Sequence, residues 1–194
     1  MKIFFDTEFT GLHKDTMLIS IGCVSEDNRQ FYAEFNDYDR TQCDDWIESR
    51  VIPNLRFNNP KDRNHYGVSS HGKSRDSILK NYSVELVGDK KKISDEFTTW
   101  LSQFDSVEFI SDCSHYDFVL LIDLFGTAFD LPKQVCPACH DINQDIAKYY
   151  GVTDAEAFDI SREQIIGTKD DTDKKHNALF DAEVIRDIYN IIFE

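Results

Sequence analysis

Apolar runs bounded by polar residues predict three β-strands near the start of the chain. The runs occupy residues 3–5, 17–24 and 29–35, and the polar triplet Glu26-Asp27-Asn28 separates the last two. A polar triplet between two strand-like segments is typical of a hairpin turn. We therefore expect the chain to begin with a β-meander.

Apolar positions with helical periodicity predict five helices, at residues 44–51, 93–104, 116–125, 142–150 and 177–192. A further strand is predicted at residues 107–111. Residues 58–92 are polar, basic in places and poor in apolar periodicity, so we predict an insertion or loop there. Three strands followed by alternating helices and strands predict an α/β fold, with a mixed sheet flanked by helices. The length of 194 residues indicates a single domain over residues 1–194.

The charge of the chain narrows the classes of binding partner. There are 36 acidic and 21 basic residues, which give a net charge of −15. A protein that grips long duplex nucleic acid through many phosphates needs a basic face, so this class is disfavoured. The objection is weaker for an enzyme that takes a strand end into an acidic cleft, because bound cations reverse the local charge where phosphate must sit.

The amino terminus and the cysteines indicate the compartment. The apolar run after Met1-Lys2 stops at Asp6, which is too short for a signal peptide, and no later run is long enough to span a membrane. The five cysteines form no even-numbered disulfide framework. We expect a soluble cytoplasmic protein with reduced thiols and no membrane partner.

Asp6 and Glu8 form the first candidate site. They alternate with Thr7 at the end of the first predicted strand, so both point to the same face as Phe4. Two half-buried carboxylates repel each other unless a cation lies between them, and oxygen ligands of this kind suit Mg²⁺ or Mn²⁺. The competing interpretation is a pair of surface acids at a strand end.

Two further acids lie on apolar helix faces. Asp181 falls within the apolar stripe of the last predicted helix, and Asp117 shares a face with leucines of the helix at 116–125. A carboxylate that points at the core needs a metal or a buried arginine or lysine as its partner. For Asp117 a helix-capping role is the alternative, and Asp112 is the rival acid in this region.

His176 is the candidate proton acceptor. It precedes Asp181 by five residues, which places both at one site only if His176 lies before the first turn of the helix. The polar run at residues 169–175 predicts a loop that allows this arrangement. A neutral imidazole there accepts a proton from water near neutral pH, whereas the competing interpretation is a solvated loop histidine.

Three motifs, in order along the chain, resemble those of the DEDDh 3'-5' exonucleases. They are residues 6–12 (DTEFTGL), 114–117 (SHYD) and 176–181 (HNALFD). Residues 18–22, 31–35 and 51–53, with Trp46, are similar to RNase AS-type 3'-5' exoribonucleases and their phage relatives. The resemblance covers most of the chain outside residues 58–92, and three ordered motifs are far more specific than one. Many DEDDh enzymes carry His-Asn where this chain has Asp112-Cys113.

The resemblance implies an RNase H-like fold and an enzyme that removes nucleoside 5'-monophosphates from single-stranded nucleic acid 3' ends, with RNA favoured over DNA. It implies two divalent cations, Mg²⁺ or Mn²⁺, and His176 as general base. The implied metal ligands are Asp6, Glu8, Asp117 and Asp181, and the implied substrate-binding residues are Thr7, Phe9, Thr10 and Tyr116. It also implies a homodimer, and a phage origin would place the protein in the host cytoplasm.

Other functions compete with this one. Residues 67–74 fit the P-loop expression, but the preceding segment is too polar for the buried strand that a P-loop requires. Cys136, Cys139 and His140 fit a haem-attachment, redox or zinc motif, but there is no export signal and no second cysteine pair, so we predict two thiols at a strand end. A DNA exonuclease and a binding-only module of the same fold remain alternatives.

Overall fold

The computed structural model describes residues 1–57, 83–167 and 175–194. Its strands are β1 (Lys2–Phe9), β2 (Leu18–Ser25), β3 (Gln30–Phe35), β4 (Ser83–Gly88), β5 (Val107–Ser111) and β6 (Val135–Asp141). Its helices are α1 (Asp45–Arg50), α2 (Lys90–Leu101), α3 (Ser114–Phe125), α4 (Ile142–Tyr150), α5 (Asp154–Asp159), α6 (Arg162–Ile166) and α7 (Ala178–Phe193). Short 3-10 turns at Arg40–Gln42 and Ile52–Asn54 flank α1.

Within the described residues the strands form one six-stranded sheet in the order β4-β3-β2-β1-β5-β6. β2 runs antiparallel to both β1 and β3, which is the predicted meander. β4 lies parallel to β3, β5 lies parallel to β1, and β6 lies parallel to β5. The predicted α/β fold with a mixed sheet flanked by helices is confirmed.

Alternation along β1 directs its side chains into two separate layers. Ile3 and Phe5 pack in the core that α2 and α3 form on one face of the sheet. Phe4 packs in the second core, on the face covered by α4 and α7. Since alternate residues of a strand share a face, Asp6 and Glu8 point with Phe4 toward the layer that contains α7.

α7 packs against the sheet through the apolar stripe that the sequence predicts. Ala178, Ala182, Ile185 and Ile188 are buried, and Asp181 lies on α7 among them. The apolar stripe stabilises the helix by burying its face, so the position of Asp181 follows from the packing of its neighbours. None of the helices in the described ranges is both long and apolar enough to cross a bilayer.

The prediction of an insertion or loop over residues 58–92 was wrong for its last part. Ser83–Gly88 is an edge strand with only two buried positions among its six residues, so its sequence carries a weak apolar signal. α2 begins at Lys90 rather than at residue 93, because the Asp89 side chain caps it by accepting a hydrogen bond from the Lys92 amide. Residues 58–82 lie outside the described residues.

Candidate active site

The two carboxylates of β1 lie at the centre of the sheet. Asp6 is opposite Gly22 of β2, and Glu8 is opposite Ser20. β5, on the other side of β1, ends at Ser111 and leads into α3. The first turns of α3 and α7 can therefore both bring side chains to these carboxylates.

Gly22 allows α7 to approach the sheet closely. A Cβ atom at this position would lie 2.2 Å from the backbone carbon of Ala178 and 2.2 Å from the backbone nitrogen of Leu179. Real Cβ atoms do not come this close to backbone, so a side chain here would displace the first turn of α7. The absence of a side chain at Gly22 thus brings Asp181 close to Asp6 and Glu8.

The residues before α7 are held in a defined conformation. His176 has a φ of 66°, in the left-handed region that few residues with a side chain adopt. Asn177 caps the helix by accepting a hydrogen bond from the Phe180 amide, and its Nδ2 donates to the Asn54 carbonyl at 2.9 Å. The His176 amide donates to Oδ2 of Asp181 at 3.0 Å. As predicted, His176 lies before the first turn of the helix.

Glu8, His176 and Asp181 form a first group, which we call the α7 cluster. One potential ligand atom of each lies within 4.8 Å of those of the other two. The His176 ring also meets the ring of Trp46 of α1 edge to face, with centroids 4.9 Å apart. Half of the Trp46 surface is exposed (52%), so this contact lies at the mouth of the cluster.

Asp6, Asp112 and Asp117 form a second group, the α3 cluster, with ligand atoms again within 4.8 Å of one another. Asp117 is buried in the first turn of α3 and accepts hydrogen bonds from the hydroxyls of Thr7 at 2.6 Å and Ser111 at 2.5 Å. These hydroxyls fix the orientation of its carboxylate. Asp112 and Asp117, which the sequence presents as rivals, both belong to this cluster.

The alternative interpretations of the single acids do not match this geometry. Asp6 and Glu8 are not surface acids at a strand end, because both lie inside β1 among other carboxylates. Asp117 does not cap α3, since it lies within the helix and is only 1% exposed. In the part of the chain that the structure describes, Asp181 makes no ion pair with an arginine or a lysine.

The sequence also matches a known family. Residues 1–193 match the model of the 3'-5' exoribonuclease Rv2179c-like domain. The chain belongs to this family. It is 30% identical over 144 residues to the 3'-5' exoribonucleases MT2234.1 and Rv2179c, from the CDC 1551 / Oshkosh and ATCC 25618 / H37Rv strains of Mycobacterium tuberculosis. Each alignment covers 74% of this chain and 73% of the relative.

Burial and mutual repulsion make the four acids hard to ionise without a cation. Burial, with the nearby carboxylates, raises the pKa of Asp6 and Glu8 well above the usual range. Burial also raises the pKa of Asp117 and Asp181 from 3.8 to about 7. A bound divalent cation reverses this effect because it favours the charged form. The oxygen-rich donor set fits Mg²⁺ or Mn²⁺.

The pKa of the His176 imidazole is shifted downward, in contrast to the pKa values of the acids. Burial, and then the positive charges of Lys175 and Arg50, lower its pKa below the usual 6.5. The ring is therefore neutral at pH 7 and able to accept a proton. This is the state that a general base requires.

The four predicted substrate-binding residues lie on β1, on the loop after it and on α3. The rings of Phe9 and Tyr116 stack with centroids 5.3 Å apart. The Thr10 hydroxyl is buried and donates to Gln42 at 2.6 Å, and the Thr7 hydroxyl donates to Asp117. Both threonine hydroxyls are thus engaged inside the protein, and the Thr10 amide donates to the Met17 carbonyl at 3.0 Å, whereas the rings of Phe9 and Tyr116 are partly exposed.

Sequence reasoning missed the residues that position the acids. Thr7 and Asn177 lie in the first and third motifs and Gly22 lies in the similar segment at residues 18–22, but none of them, nor Ser111, was assigned a positioning role. Asn177 was detectable, since asparagine directly before an apolar helix is a common N-cap. Gly22 carries no comparable signal, because its effect depends on the helix that packs over it.

The competing motifs add nothing to this site. Cys136 and Cys139 lie inside β6, not at its end, and neither belongs to either cluster. His140 pairs with Asp145 of α4. The P-loop match at residues 67–74 lies outside the described residues.

Proposed function

We propose that this protein is a metal-dependent 3'-5' exoribonuclease of the DEDDh type that releases nucleoside 5'-monophosphates from single-stranded RNA. The observation that carries the proposal is the convergence of Asp6, Glu8, Asp117 and Asp181, from three separate elements, next to His176. The family to which the chain belongs supports the reaction, and the names of its relatives support RNA as the substrate. The antiparallel β1–β3 followed by the parallel β5 and β6 supports an RNase H-like fold.

The carboxylates would hold two divalent cations, Mg²⁺ or Mn²⁺. When bound, these cations would supply a lowered pKa for the attacking water and stabilisation of the charge on the leaving 3'-oxygen. Asp6 and Asp117 of the α3 cluster and Glu8 and Asp181 of the α7 cluster would be the ligands. The raised pKa values of Asp117 and Asp181 mean that holding these acids in the charged form is unfavourable before the cations bind.

His176 would act as the general base. Its neutral ring lies beside Glu8 and Asp181 and would take the proton of the attacking water. The Trp46 ring restricts the orientation of the imidazole from the solvent side. The stacked rings of Phe9 and Tyr116, with the backbone of residues 7–10, would hold the terminal nucleotide by sequence-tolerant stacking.

A nucleotide-release assay tests the proposal. The substrates are matched single-stranded RNA and DNA, each with a free or a blocked 3' end, incubated with Mg²⁺ or Mn²⁺ and with or without a chelator. We expect mononucleotides from RNA with a free 3' end, and none with the chelator or the block. Asp6→Asn should abolish release, whereas Asp187→Asn, at a half-buried acid of α7 that pairs with Arg186, should not.

Each alternative gives a different result in the same assay. Faster release from DNA than from RNA would identify a DNA exonuclease. RNA binding without nucleotide release would identify a binding-only module, and chelator-resistant release would contradict the metal-dependent reaction. The proposal includes one domain over residues 1–194 and a homodimer, which sedimentation of the purified chain would test.

A further inference from the structure

The two clusters together contain five carboxylates, one more than the four of the proposed reaction, and the additional one is Asp112 of the α3 cluster. An oxygen of Asp112 lies within 4.8 Å of ligand oxygens of Asp6 and Asp117. Asp112 lies in the turn between β5 and α3, and its side chain is partly exposed at 22%. A partly exposed aspartate next to two other carboxylates would ordinarily turn toward solvent to reduce the repulsion. In this protein a set of hydrogen bonds prevents that movement.

Arg162 of α6 holds the Asp112 side chain. Its Nε donates to Oδ2 of Asp112 at 3.0 Å, and its Nη1 donates to the carbonyls of Ala157 and Ile160 at 3.0 and 2.8 Å. Its Nη2 donates to Oδ1 of Asn143 at 2.5 Å. With its head group bonded in four directions, the guanidinium is a fixed point and not a mobile surface cation.

Asn143 of α4 fixes the backbone of the same residue. Its Nδ2 donates to the carbonyl of Asp112 at 2.5 Å and to Oδ1 of Asp141 at 3.0 Å. Oδ2 of Asp141 in turn accepts from the Ser114 hydroxyl at 2.8 Å, at the start of α3. Both the main chain and the side chain of Asp112 are therefore held from the α4–α6 layer.

We propose that Arg162 is a positioning residue for the proposed exoribonuclease reaction, and that it acts by holding Asp112, in the α3 cluster, as the fifth carboxylate of the site. Arg162 engages one oxygen of Asp112, and a carboxylate has a second oxygen for a cation or its bound water. The single positive charge of Arg162 does not balance the five acids of the two clusters, so the site keeps its demand for divalent cations. The inference rests on the proposed function, since it assigns Asp112 to the same metal site.

Binding of Mn²⁺ to the full chain tests this inference apart from activity. Isothermal titration of the metal-free protein with Mn²⁺ should give two ions for the unaltered chain. Asp112→Asn keeps an acceptor for Arg162 but removes the charge, and it should weaken one Mn²⁺ site by about 10- to 100-fold. Asp123→Asn is the matched control, because Asp123 pairs with Lys90 outside both clusters, and it should bind Mn²⁺ normally.

A double variant, Asp112→Asn with Arg162→Lys, separates a positioning role of Arg162 from a general effect on folding. A lysine at position 162 keeps the charge but cannot make the four bonds, so Arg162→Lys should weaken the same Mn²⁺ site. If Arg162 acts through Asp112, adding Arg162→Lys to Asp112→Asn should cause no further loss of Mn²⁺ affinity. Melting temperatures in chelator report the stability of each variant separately. A merely structural Arg162 would lower those temperatures without moving the Mn²⁺ affinity.

The outcomes distinguish this inference from the proposed function. The inference is overturned if Asp112→Asn binds Mn²⁺ normally, or if the losses of Mn²⁺ affinity in Asp112→Asn and Arg162→Lys are fully additive. In either case, chelator-sensitive RNA degradation by the unaltered chain still supports the proposed function. An unaltered chain that neither binds Mn²⁺ nor degrades RNA overturns both. If Asp112→Asn does not fold, Arg162→Lys decides alone, and normal Mn²⁺ affinity in that variant overturns the inference.

Discussion

Removing the charge of Asp181 should stabilise the metal-free protein. Burial raises the pKa of this carboxyl from 3.8 to about 7, so above pH 7 the folded chain carries a buried negative charge at a cost in free energy. Asp181→Asn preserves the size of the side chain and an oxygen that can accept the hydrogen bond from the His176 amide. The variant therefore removes the charge with little change in packing.

The pKa sets the size and the pH range of the effect. A rise from 3.8 to about 7 corresponds to at most about 4 kcal/mol in the free energy of unfolding. A raised pKa means that the folded state binds more protons than the unfolded state between about pH 4 and pH 7, so stability falls as the pH rises through this window. The lowered pKa of His176 acts in the opposite direction in both proteins.

Thermal unfolding in chelator across this pH range is the assay. At pH 8 the melting temperature of Asp181→Asn should exceed that of the unaltered chain, by at most about 16 °C for a chain of this size, and the difference should vanish near pH 4. Adding Mn²⁺ should stabilise the unaltered chain more than the variant, because the variant has lost a ligand. Asp187→Asn, which breaks an ion pair elsewhere on α7, should give no gain at pH 8. Equal or lower stability of Asp181→Asn at every pH would refute the crowding of carboxylates at this site.

Three further changes test how the site is built. His176→Ala should lower the rate of nucleotide release by about 10²- to 10⁴-fold. In the unaltered enzyme the rate should decrease on the acid side only at pH values below 6.5, because burial lowers the pKa of His176. Gly22→Ala should displace the first turn of α7 at Ala178 and lower both activity and melting temperature. Thr7→Val removes the hydrogen bond to Asp117 at nearly constant volume and should lower Mn²⁺ affinity by about 10-fold or more.

Each of these changes has a matched control in the described part of the chain. His140→Ala alters a histidine that pairs with Asp145 outside both clusters, and it should leave the rate nearly unchanged. At Gly88→Ala the atoms nearest to the new Cβ belong to the Lys92 side chain and not to backbone, and Thr98→Val removes an exposed hydroxyl on α2. If a control impairs the enzyme as much as its partner, the loss reflects general damage and the proposed role is wrong.

The sequence predicts the centre of the fold better than its edges. The elements that surround the two cores carry apolar patterns that the sequence shows; they are β1 to β3, β5, α2, α3, α4 and α7. β4 and β6 lie at the two edges of the sheet, where fewer apolar side chains are needed. The sequence did not predict β4, and it predicted β6 only as a strand end near Cys136 and Cys139. α5 and α6 are too short to show helical periodicity.

The sequence likewise predicts some residues of the candidate site and not others. The sequence reveals four of the site residues by their positions. Two adjacent acids end an apolar strand (Asp6 and Glu8), one acid lies in the apolar stripe of a helix (Asp181), and one histidine lies just before that helix (His176). The choice between Asp112 and Asp117 could not be made from spacing, since it depends on the Thr7 and Ser111 hydroxyls and on Arg162, which come from distant parts of the chain. Contacts of this kind are determined by tertiary packing and leave no local pattern.

The central claim is that four acids from β1, α3 and α7 bind a pair of divalent cations. Crystals of the protein soaked in Mn²⁺ and measured at the manganese absorption edge would test it directly. We expect two anomalous peaks, one in contact with Asp6 and Asp117 and the other with Glu8 and Asp181. Peaks that lie elsewhere, or no peaks between these carboxylates at saturating Mn²⁺, would contradict the account.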